Sequence, residues 1–174
     1  RELLSIIKET IKAKGNKANL NFIDTGRIRS MSGLFKGSGF NGRIDQWDVS
    51  KVNDMKEMFY ESKFNGNIGR WNTGHVRNME YMFAWSEFNQ DIGRWDVGRV
   101  EYMSYMFCNS VYEKSLRDWN VGSVREMECM FSMSLFDGDI SGWNTKNVLT
   151  MKEMFSMSVF TGNIGSWNTS EVRN

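Results

Sequence analysis

The amino-acid sequence predicts an α/β repeat solenoid, and three observations support this fold class. One pattern of 24 residues recurs without insertion from residue 20 to the end of the 174-residue chain. Every copy has its aromatic and aliphatic residues at the same positions, so that stacked copies can share one continuous core. A separate stretch before the first copy has the apolar spacing of an amphipathic helix.

Each copy of the repeat is built around one Trp. An Ile or Leu lies three positions before the Trp, a Val lies five positions after it and, in all copies but the last, a Met lies eight positions after it. In the complete copies a Met-Phe pair follows, and a Ser and an aromatic residue precede the next copy's Ile or Leu. The tryptophans of the repeat are Trp47, Trp71, Trp95, Trp119, Trp143 and Trp167.

The length of the repeat limits the kind of unit that it can form. Twenty-four residues are too few for the two-helix units of about 34 residues or more, and they fit leucine-rich-repeat-like coils of roughly 20 to 29 residues. We expect Ile-x-x-Trp to form a short strand, and Val-x-x-Met-x-x-Met-Phe to form a short helix or 3₁₀ turn. Stacked coils would then align their strands in a parallel β-sheet.

The N-terminal segment is predicted to cap this stack. Residues 1–15 are predicted to form a helix that ends at the stop signal Gly15 and has four apolar residues on one face: Leu3, Leu4, Ile7 and Ile11. We therefore expect an N-terminal capping helix that covers the open edge of the first coil.

The rest of the chain is predicted to form a single solenoid domain at residues 16–174. Its first coil, residues 16–39, is degenerate and has Ile23 in the place of Trp. Terminal repeats are commonly atypical in this way. The later repeats start at residues 40, 64, 88, 112, 136 and 160.

The C-terminal edge of the predicted stack lacks a polar closing coil in this sequence. Met133, Leu135, Met157 and Val159 also make the surface near that edge more apolar than elsewhere. An open edge of paired backbone invites association, so we expect this edge to offer a surface for self-association or for further coils.

Composition excludes several classes of function. The 22 basic and 21 acidic residues nearly cancel, so we expect no nucleic-acid partner. No apolar run has the roughly 20 residues that a membrane-spanning helix needs. Cys108 and Cys129 are too few for a disulfide scaffold, and their spacing fits either a bridge between neighbouring coils or two free thiols.

Side chains that could catalyse a reaction or bind a metal are explained by core packing or by turns of the repeat. The Met-x-x-Met pairs have thioethers that suit Cu(I), yet the core requires Met at the same positions. His75 lies on a variable loop position and has no second His to work with. Asp137 and Asp139 lie in a Gly-rich turn, where Asp commonly bonds the backbone. The sequence therefore predicts no catalytic residue, no metal site and no cofactor.

A binding function can lie in the positions that vary between copies. The two positions between Ile and Trp are predicted to point outward from the strand face, which is the usual binding surface of leucine-rich solenoids. They carry a basic stripe in the middle of the chain, although an ordinary solvated face explains these charges equally well. Trp85 is the one Trp outside the repeat register, and either an interface or side-on packing explains it. The candidate partner-binding residues are Asp45, Gln46, Arg70, Trp85, Arg94, Arg117 and Asp118.

The repeat resembles that of a known family. The segment DIGRWDVGRVEYMSYMF, residues 91–107, is similar to the unit F-N-x-x-I-x-x-W-[DN]-V-S-x-V-x-x-M-x-x-M-F-x-x-S of the BspA-like leucine-rich-repeat surface proteins of bacteria. The resemblance covers residues 20–174, with departures at turns, such as Thr73 for the usual Val and Gly98 for the usual Ser. It implies a repeat-built interaction surface, often displayed on the cell, without enzymatic activity.

These observations lead to one main hypothesis and two alternatives. The main hypothesis is a non-enzymatic repeat scaffold at the cell surface, or secreted, that binds a host or bacterial protein through its exposed strand face. The alternatives are a cytoplasmic immunity- or effector-type inhibitor that uses the same face, and a structural spacer without a specific ligand. A signal peptide upstream of the first residue would distinguish the main hypothesis from the cytoplasmic inhibitor.

Overall fold

The computed structural model describes residues 2–174, and the one helix in this part of the chain lies at the N-terminus. α1 spans Glu2–Lys14. Ile7 on its inner face is fully buried, and Ile11 packs against the core beside it. The amide of Gly15 donates to the Ile11 carbonyl oxygen, and Gly15 has a φ of 79°, a left-handed conformation that commonly ends helices. Arg1, which the predicted capping helix includes, lies outside the described residues.

Residues that are 24 apart in the sequence are neighbours in space. We call each 24-residue copy a unit, with unit 1 at residues 16–39, unit 2 starting at residue 40 and unit 7 starting at residue 160. Isolated parallel bridges connect equivalent residues of consecutive units. The bridges run through Ser30, Asp54, Asn78, Tyr102, Glu126 and Thr150, and a further bridge joins Asn19 to Arg43.

A column of backbone hydrogen bonds runs beside these bridges. From Asn53 onward, the amide of each residue in the column donates to the carbonyl oxygen of the residue 24 positions earlier, over 2.8–2.9 Å. Because the register never changes, equivalent side chains of successive units form straight columns along the molecule. The column consists of Arg29, Asn53, Arg77, Glu101, Arg125, Leu149 and Arg173.

The Val-x-x-Met-x-x-Met-Phe segments, for which a short helix or a 3₁₀ turn is predicted, form successive turns and no α-helix. In unit 2 the Met58 amide donates to the Met55 carbonyl oxygen at 3.1 Å, whereas the Phe59 amide donates to Met82 of unit 3 at 3.0 Å. Amides thus alternate between a turn within the unit and a bond to the next unit, which removes the continuous i→i−4 bonds of a helix. Glu57 also has a φ of 56°, a left-handed value that helical segments do not contain.

The Ile-x-x-Trp segments are also turns rather than the predicted short strands. The Trp47 amide donates to the Ile44 carbonyl oxygen at 3.2 Å, and the same turn recurs in the later units. Parallel pairing occurs instead one residue before the first Met, at Asp54 in unit 2. Turns on both sides of this residue limit the pairing to single bridges, so no longer strand forms within residues 2–174.

The interior consists of columns of stacked rings. The ring centroids of Phe59 and Phe83 are 5.6 Å apart, and those of Trp71 and Trp95 are 6.4 Å apart, with nearly parallel planes. The Trp95 indole N–H donates to the Ile68 carbonyl oxygen of the preceding unit at 3.1 Å, and every other repeat Trp makes the equivalent bond. Each Trp therefore fills the core and also satisfies its polar N–H without water.

Asparagine side chains hold consecutive units together at another corner. The Asn41 side-chain oxygen accepts a hydrogen bond from the Asn65 amide at 3.0 Å. Asn65 accepts in the same way from the Asn89 amide, and Asn89 accepts from the Glu113 amide. Short polar side chains that bond a nearby backbone in this way satisfy turn amides that have no partner in a sheet or a helix.

Candidate binding surfaces

The predicted partner-binding residues other than Trp85 lie at the Ile-x-x-Trp turns. They line two separate depressions on this turn face, one of about 480 Å³ in units 2 and 3 and one of about 210 Å³ in units 4 and 5. The larger depression contains Asp45, Gln46 and Arg70, and the smaller contains Arg94, Arg117 and Asp118.

Hydrogen bonds fix the charge at the N-terminal end of this turn face. The Asp45 carboxylate accepts hydrogen bonds from the Asn21 side-chain amide at 3.0 Å and from the Arg43 guanidinium at 3.2 Å. These bonds stabilise the ionised form, so the pKa of Asp45 is lower than its ordinary value. At the other end, Arg117 lies 3.7 Å from the carboxylate of Asp139, which reduces its availability to a partner.

Asp45 is expected to contribute to loss of stability in acid. Its pKa is lower in the folded chain than in the unfolded chain, so its stabilising contribution is present above the unfolded pKa of about 4 and is lost as the pH falls through the folded pKa. We expect the melting temperature to fall as the pH drops below the unfolded pKa of about 4, and to fall less in an Asp45→Asn variant. Circular dichroism melts at several pH values measure this difference.

The matched control for this titration is Asp118→Asn. The Asp118 carboxylate lies on the same face, and it accepts no hydrogen bond from residues 2–174. If Asp45→Asn and Asp118→Asn changed the acid response equally, the contribution of the Asn21 and Arg43 hydrogen bonds would be disproved.

Trp85 lies on a different side of the units, at the end of the Met-Phe turn. Its side chain is 38% exposed, and its ring centroid is 5.6 Å from that of Tyr60. The backbone of Trp85 is left-handed, with a φ of 53°, at the position that Gly37 occupies in unit 1. The structure therefore separates Trp85 from the other six predicted residues, and the seven do not form one surface.

Exposed apolar side chains are concentrated around Trp85. Two neighbouring columns, two residues apart in each unit, hold six of the nine exposed large apolar side chains in residues 2–174. Hydrogen bonds between units keep these columns aligned, such as the one from the Met133 amide to the Ser156 carbonyl oxygen at 2.8 Å. We call this surface the apolar strip: Trp85, Val111, Met133, Leu135, Met157 and Val159, which are 38–84% exposed.

A basic ridge occupies another side of the units, around the column that begins at Arg29. All of the basic side chains in the ridge are exposed, and each of the seven units contributes at least one of them. The same positions contain only two acidic residues, Glu101 and Glu171. The basic ridge consists of Arg27, Arg29, Lys51, Arg77, Arg99, Arg125, Lys146 and Arg173.

Sequence reasoning identified part of the apolar strip and did not identify the basic ridge. Val111 was missed because its column holds Lys63 and Glu87 in the earlier units, so the column does not look apolar until unit 4. The ridge is spread over three positions within four consecutive residues of each unit, and none of these positions is basic in every unit. Adding the charges of these neighbouring positions unit by unit would have revealed it.

The two cysteines are free and buried. Burial raises the pKa of the Cys108 thiol to about 11, with a smaller contribution from Cys129. A thiol with that pKa is protonated at neutral pH and is a poor nucleophile or metal ligand. Within residues 2–174, no three His, Cys, Asp or Glu side chains converge in an arrangement that could hold a metal ion.

The columns of equivalent side chains define the chain as a repeat protein. The chain belongs to the family described as Mycoplasma protein of unknown function, DUF285, whose model matches residues 5–111 and 84–174. The two matches overlap at residues 84–111, as expected when one pattern recurs along a chain. No curated protein and no solved structure matches the chain. Among residues 2–174, no helix has the length and apolar character needed to cross a lipid bilayer.

Proposed function

We propose that this protein is a non-enzymatic scaffold, a solenoid of leucine-rich-repeat-like coils, that binds another protein through the apolar strip. The observation that carries the proposal is the concentration of six exposed apolar side chains in two adjacent columns. Single exposed apolar residues are ordinary on protein surfaces, whereas contiguous ones mark interaction sites.

The composition of the apolar strip suits a protein interface. Trp and Met are enriched at the centres of such interfaces, and Trp85 and Met133 are both partly exposed on a hydrogen-bonded backbone. Leu135 is 53% exposed and lies two residues from Met133 in the same unit. A partner that covered these three side chains would remove a substantial apolar area from water.

Charges beside the apolar strip indicate the chemistry of the partner surface. Glu113 and Asp137 are exposed, and each lies two residues after a member of the strip, Val111 or Leu135. Lys114 lies 3.7 Å from the Glu113 carboxylate, whereas Asp137 forms no ion pair within residues 2–174. A complementary protein surface would have apolar side chains at its centre and basic side chains along one side. The acidic flank also disfavours docking on an anionic lipid surface.

We propose the bacterial cell surface, or secretion, as the location of this scaffold. The resemblance of the repeat to the BspA-like surface proteins supports this placement, and the partner would then be a host protein or another bacterial protein. A cytoplasmic inhibitor would use the same apolar strip, whereas a structural spacer would have no partner that depends on it.

The first experiment identifies the partner by crosslinking it to a defined residue of the apolar strip. A photo-crosslinking amino acid at Met133, with the same amino acid at Gln46 on the turn face as the control, is expected to crosslink one protein from Met133 only. The affinity of that purified protein is then measured for the parent, for Met133→Asp/Leu135→Asp and for Arg70→Glu/Arg94→Glu/Arg117→Glu. We expect the first variant to weaken binding by about 100-fold or more, since two central contacts are lost.

The charge-reversed variant separates the two candidate faces. Unchanged binding by Arg70→Glu/Arg94→Glu/Arg117→Glu supports the apolar strip, whereas loss of binding in that variant alone would move the interface to the turn face. Sedimentation analysis of the same variants tests association between copies. A strip-dependent dimer without any crosslinked partner, or strip-dependent binding to anionic lipid vesicles, would overturn the proposal of a protein partner.

A further inference from the structure

We propose that the basic ridge is a second binding site, which takes a linear anionic polysaccharide carrying carboxylate or sulfate groups. The ridge shares no residue with the apolar strip, so this inference does not depend on the protein-binding function. It extends along all seven units, whereas the apolar strip occupies only units 3 to 6.

The spacing of the ridge follows from the backbone. The column from Arg29 to Arg173 is connected by six hydrogen bonds of 2.8–2.9 Å, one between each pair of consecutive units. Parallel neighbours of this kind are about 4.8 Å apart, so the six steps span about 29 Å. Every unit has at least one cation in this column or within the three residues before it. This spacing suits a linear ligand whose negative charges recur once per sugar or two.

Most of the cations in the ridge are free to bind. Arg77 pairs with Glu101 at 2.6 Å, whereas the other seven basic side chains form no ion pair within residues 2–174. The whole chain has a net charge of only +1, yet the ridge positions hold eight basic and two acidic residues. The basic charge is thus concentrated on one line, and the remaining surface is net acidic.

A groove at the C-terminal half of the ridge gives the ligand a place to lie. It has a volume of about 820 Å³ and is lined by four basic residues, Arg77, Arg99, Arg125 and Lys146, and by two acidic residues, Glu101 and Glu171. Small polar residues, such as Ser123 and Asn147, also line it. The Ser123 hydroxyl and the Asn147 amide already donate to backbone carbonyl oxygens, and their remaining hydrogen-bonding capacity beside the cations suits a ligand that combines negative charges with many hydroxyl groups.

The same composition argues against the other linear polyanions. Single-stranded nucleic acids bind where aromatic side chains stack on successive bases, and the groove is lined by no Phe, Tyr, Trp or His. Duplex DNA carries a charge about every 1.7 Å along its axis, which is much denser than one cation per unit. A protein partner would need an apolar or aromatic anchor, and Leu149 is the only apolar residue in the groove.

The test uses defined oligosaccharides and two variants of equal charge. Fluorescence anisotropy measures binding of a heparin-derived sulfated oligosaccharide and an oligogalacturonate, with neutral dextran as the negative probe. The ridge variant is Arg99→Gln/Arg125→Gln/Lys146→Gln. The matched control is Arg70→Gln/Arg94→Gln/Arg117→Gln, which removes the same charge from the turn face.

We expect the parent and the control variant to bind at least one of the two anionic probes equally well, and the ridge variant to bind it about tenfold more weakly or worse. Affinity should increase with oligosaccharide length up to about 29 Å and then level off. The relative strength of the two probes tells whether sulfate or carboxylate is preferred. All three proteins should have the same melting temperature, because the changed side chains are exposed.

Two results would overturn the proposal. Equal weakening in both variants would mean that the probes respond to net charge rather than to the ridge. A single-stranded DNA oligonucleotide of equal charge that binds more tightly than both oligosaccharides, and with the same loss in the ridge variant, would identify a nucleic-acid site instead.

Loss of protein binding by the strip variant, with polysaccharide binding retained, would show that the two surfaces act independently.

Discussion

Trp95→Ala is expected to lower the free energy of unfolding by about 3 to 5 kcal/mol. The Trp95 side chain is 3% exposed, and its ring lies against Trp71 and Phe83 in the neighbouring unit. Truncation leaves a cavity, and it also leaves the Ile68 carbonyl oxygen without the indole N–H. Since each unit contacts mainly its neighbours, damage in the middle of the array should let the two flanks unfold separately and broaden the transition.

Two companion variants make this result interpretable. Trp85→Ala removes the same side chain from the apolar strip, where it is 38% exposed, and should have a much smaller effect. Trp95→Phe keeps a ring in the core but loses the hydrogen bond to Ile68, so its stability should lie between those of the parent and Trp95→Ala. Urea unfolding followed by circular dichroism measures all three. An unchanged, equally sharp transition in Trp95→Ala would contradict the stacked core.

Gly42→Ala is expected to cost about 3 kcal/mol or more, at the upper end of the range for overpacking. A methyl group at Gly42 would overlap the Ala18 carbonyl oxygen and lie 2.7 Å from the Phe40 ring. The Ala18 carbonyl is held by a hydrogen bond from the Arg43 amide at 3.0 Å, and Phe40 is fully buried, so neither group can move aside. The expected response is separation of the first unit and α1 from the rest of the array.

The matched control is Gly142→Ala, at a turn of unit 6. No atom lies within 4 Å of a methyl group at that position, so this variant should be as stable as the parent or slightly more stable. Thermal melting compares the two variants, and hydrogen exchange locates the change. The Gly42–Ala18 contact would not limit stability if Gly42→Ala had the same melting temperature as the parent. The same conclusion would follow if residues 16–20 kept their protection from hydrogen exchange.

The sequence was sufficient to predict which side chains form the interior. The residues at the Trp, Ile, Val, Met and Phe positions of the central units are buried, because a strict period of 24 forces the same apolar pattern onto every unit. Stacking of equivalent rings, such as Phe64 on Phe88 at 6.2 Å, follows from that period and from the parallel register.

The local conformation could not be predicted from the spacing of apolar residues alone. A spacing of three fits a helix, a 3₁₀ segment and successive turns equally well, and the choice depends on whether amides bond within the unit or across to the next. The decisive signal was the position of glycine in unit 1. Gly33 and Gly37 have φ values of 64° and 63°, and the later units keep this left-handed backbone with residues such as Tyr81 and Trp85.

The surfaces were harder to predict than the core for a physical reason. A core position must hold an apolar side chain in every unit, so one column reveals it. A binding surface needs only enough suitable side chains close together, and it can combine adjacent columns, as Met133 and Leu135 do. Arg70 and Arg94 can be recognised from the sequence because they belong to one column, whereas Arg99 and Arg125 of the basic ridge belong to two different columns.

The uninterrupted register of 24 residues has a consequence for how such a protein can change over generations. Each unit ends in the conformation with which the next begins, so duplication or loss of one whole unit leaves every remaining hydrogen bond intact. The same event lengthens or shortens the line of cations by one step of about 4.8 Å. Genetic slippage in a repetitive coding sequence can therefore change the length of a binding surface in discrete steps, without any change in how the core is packed.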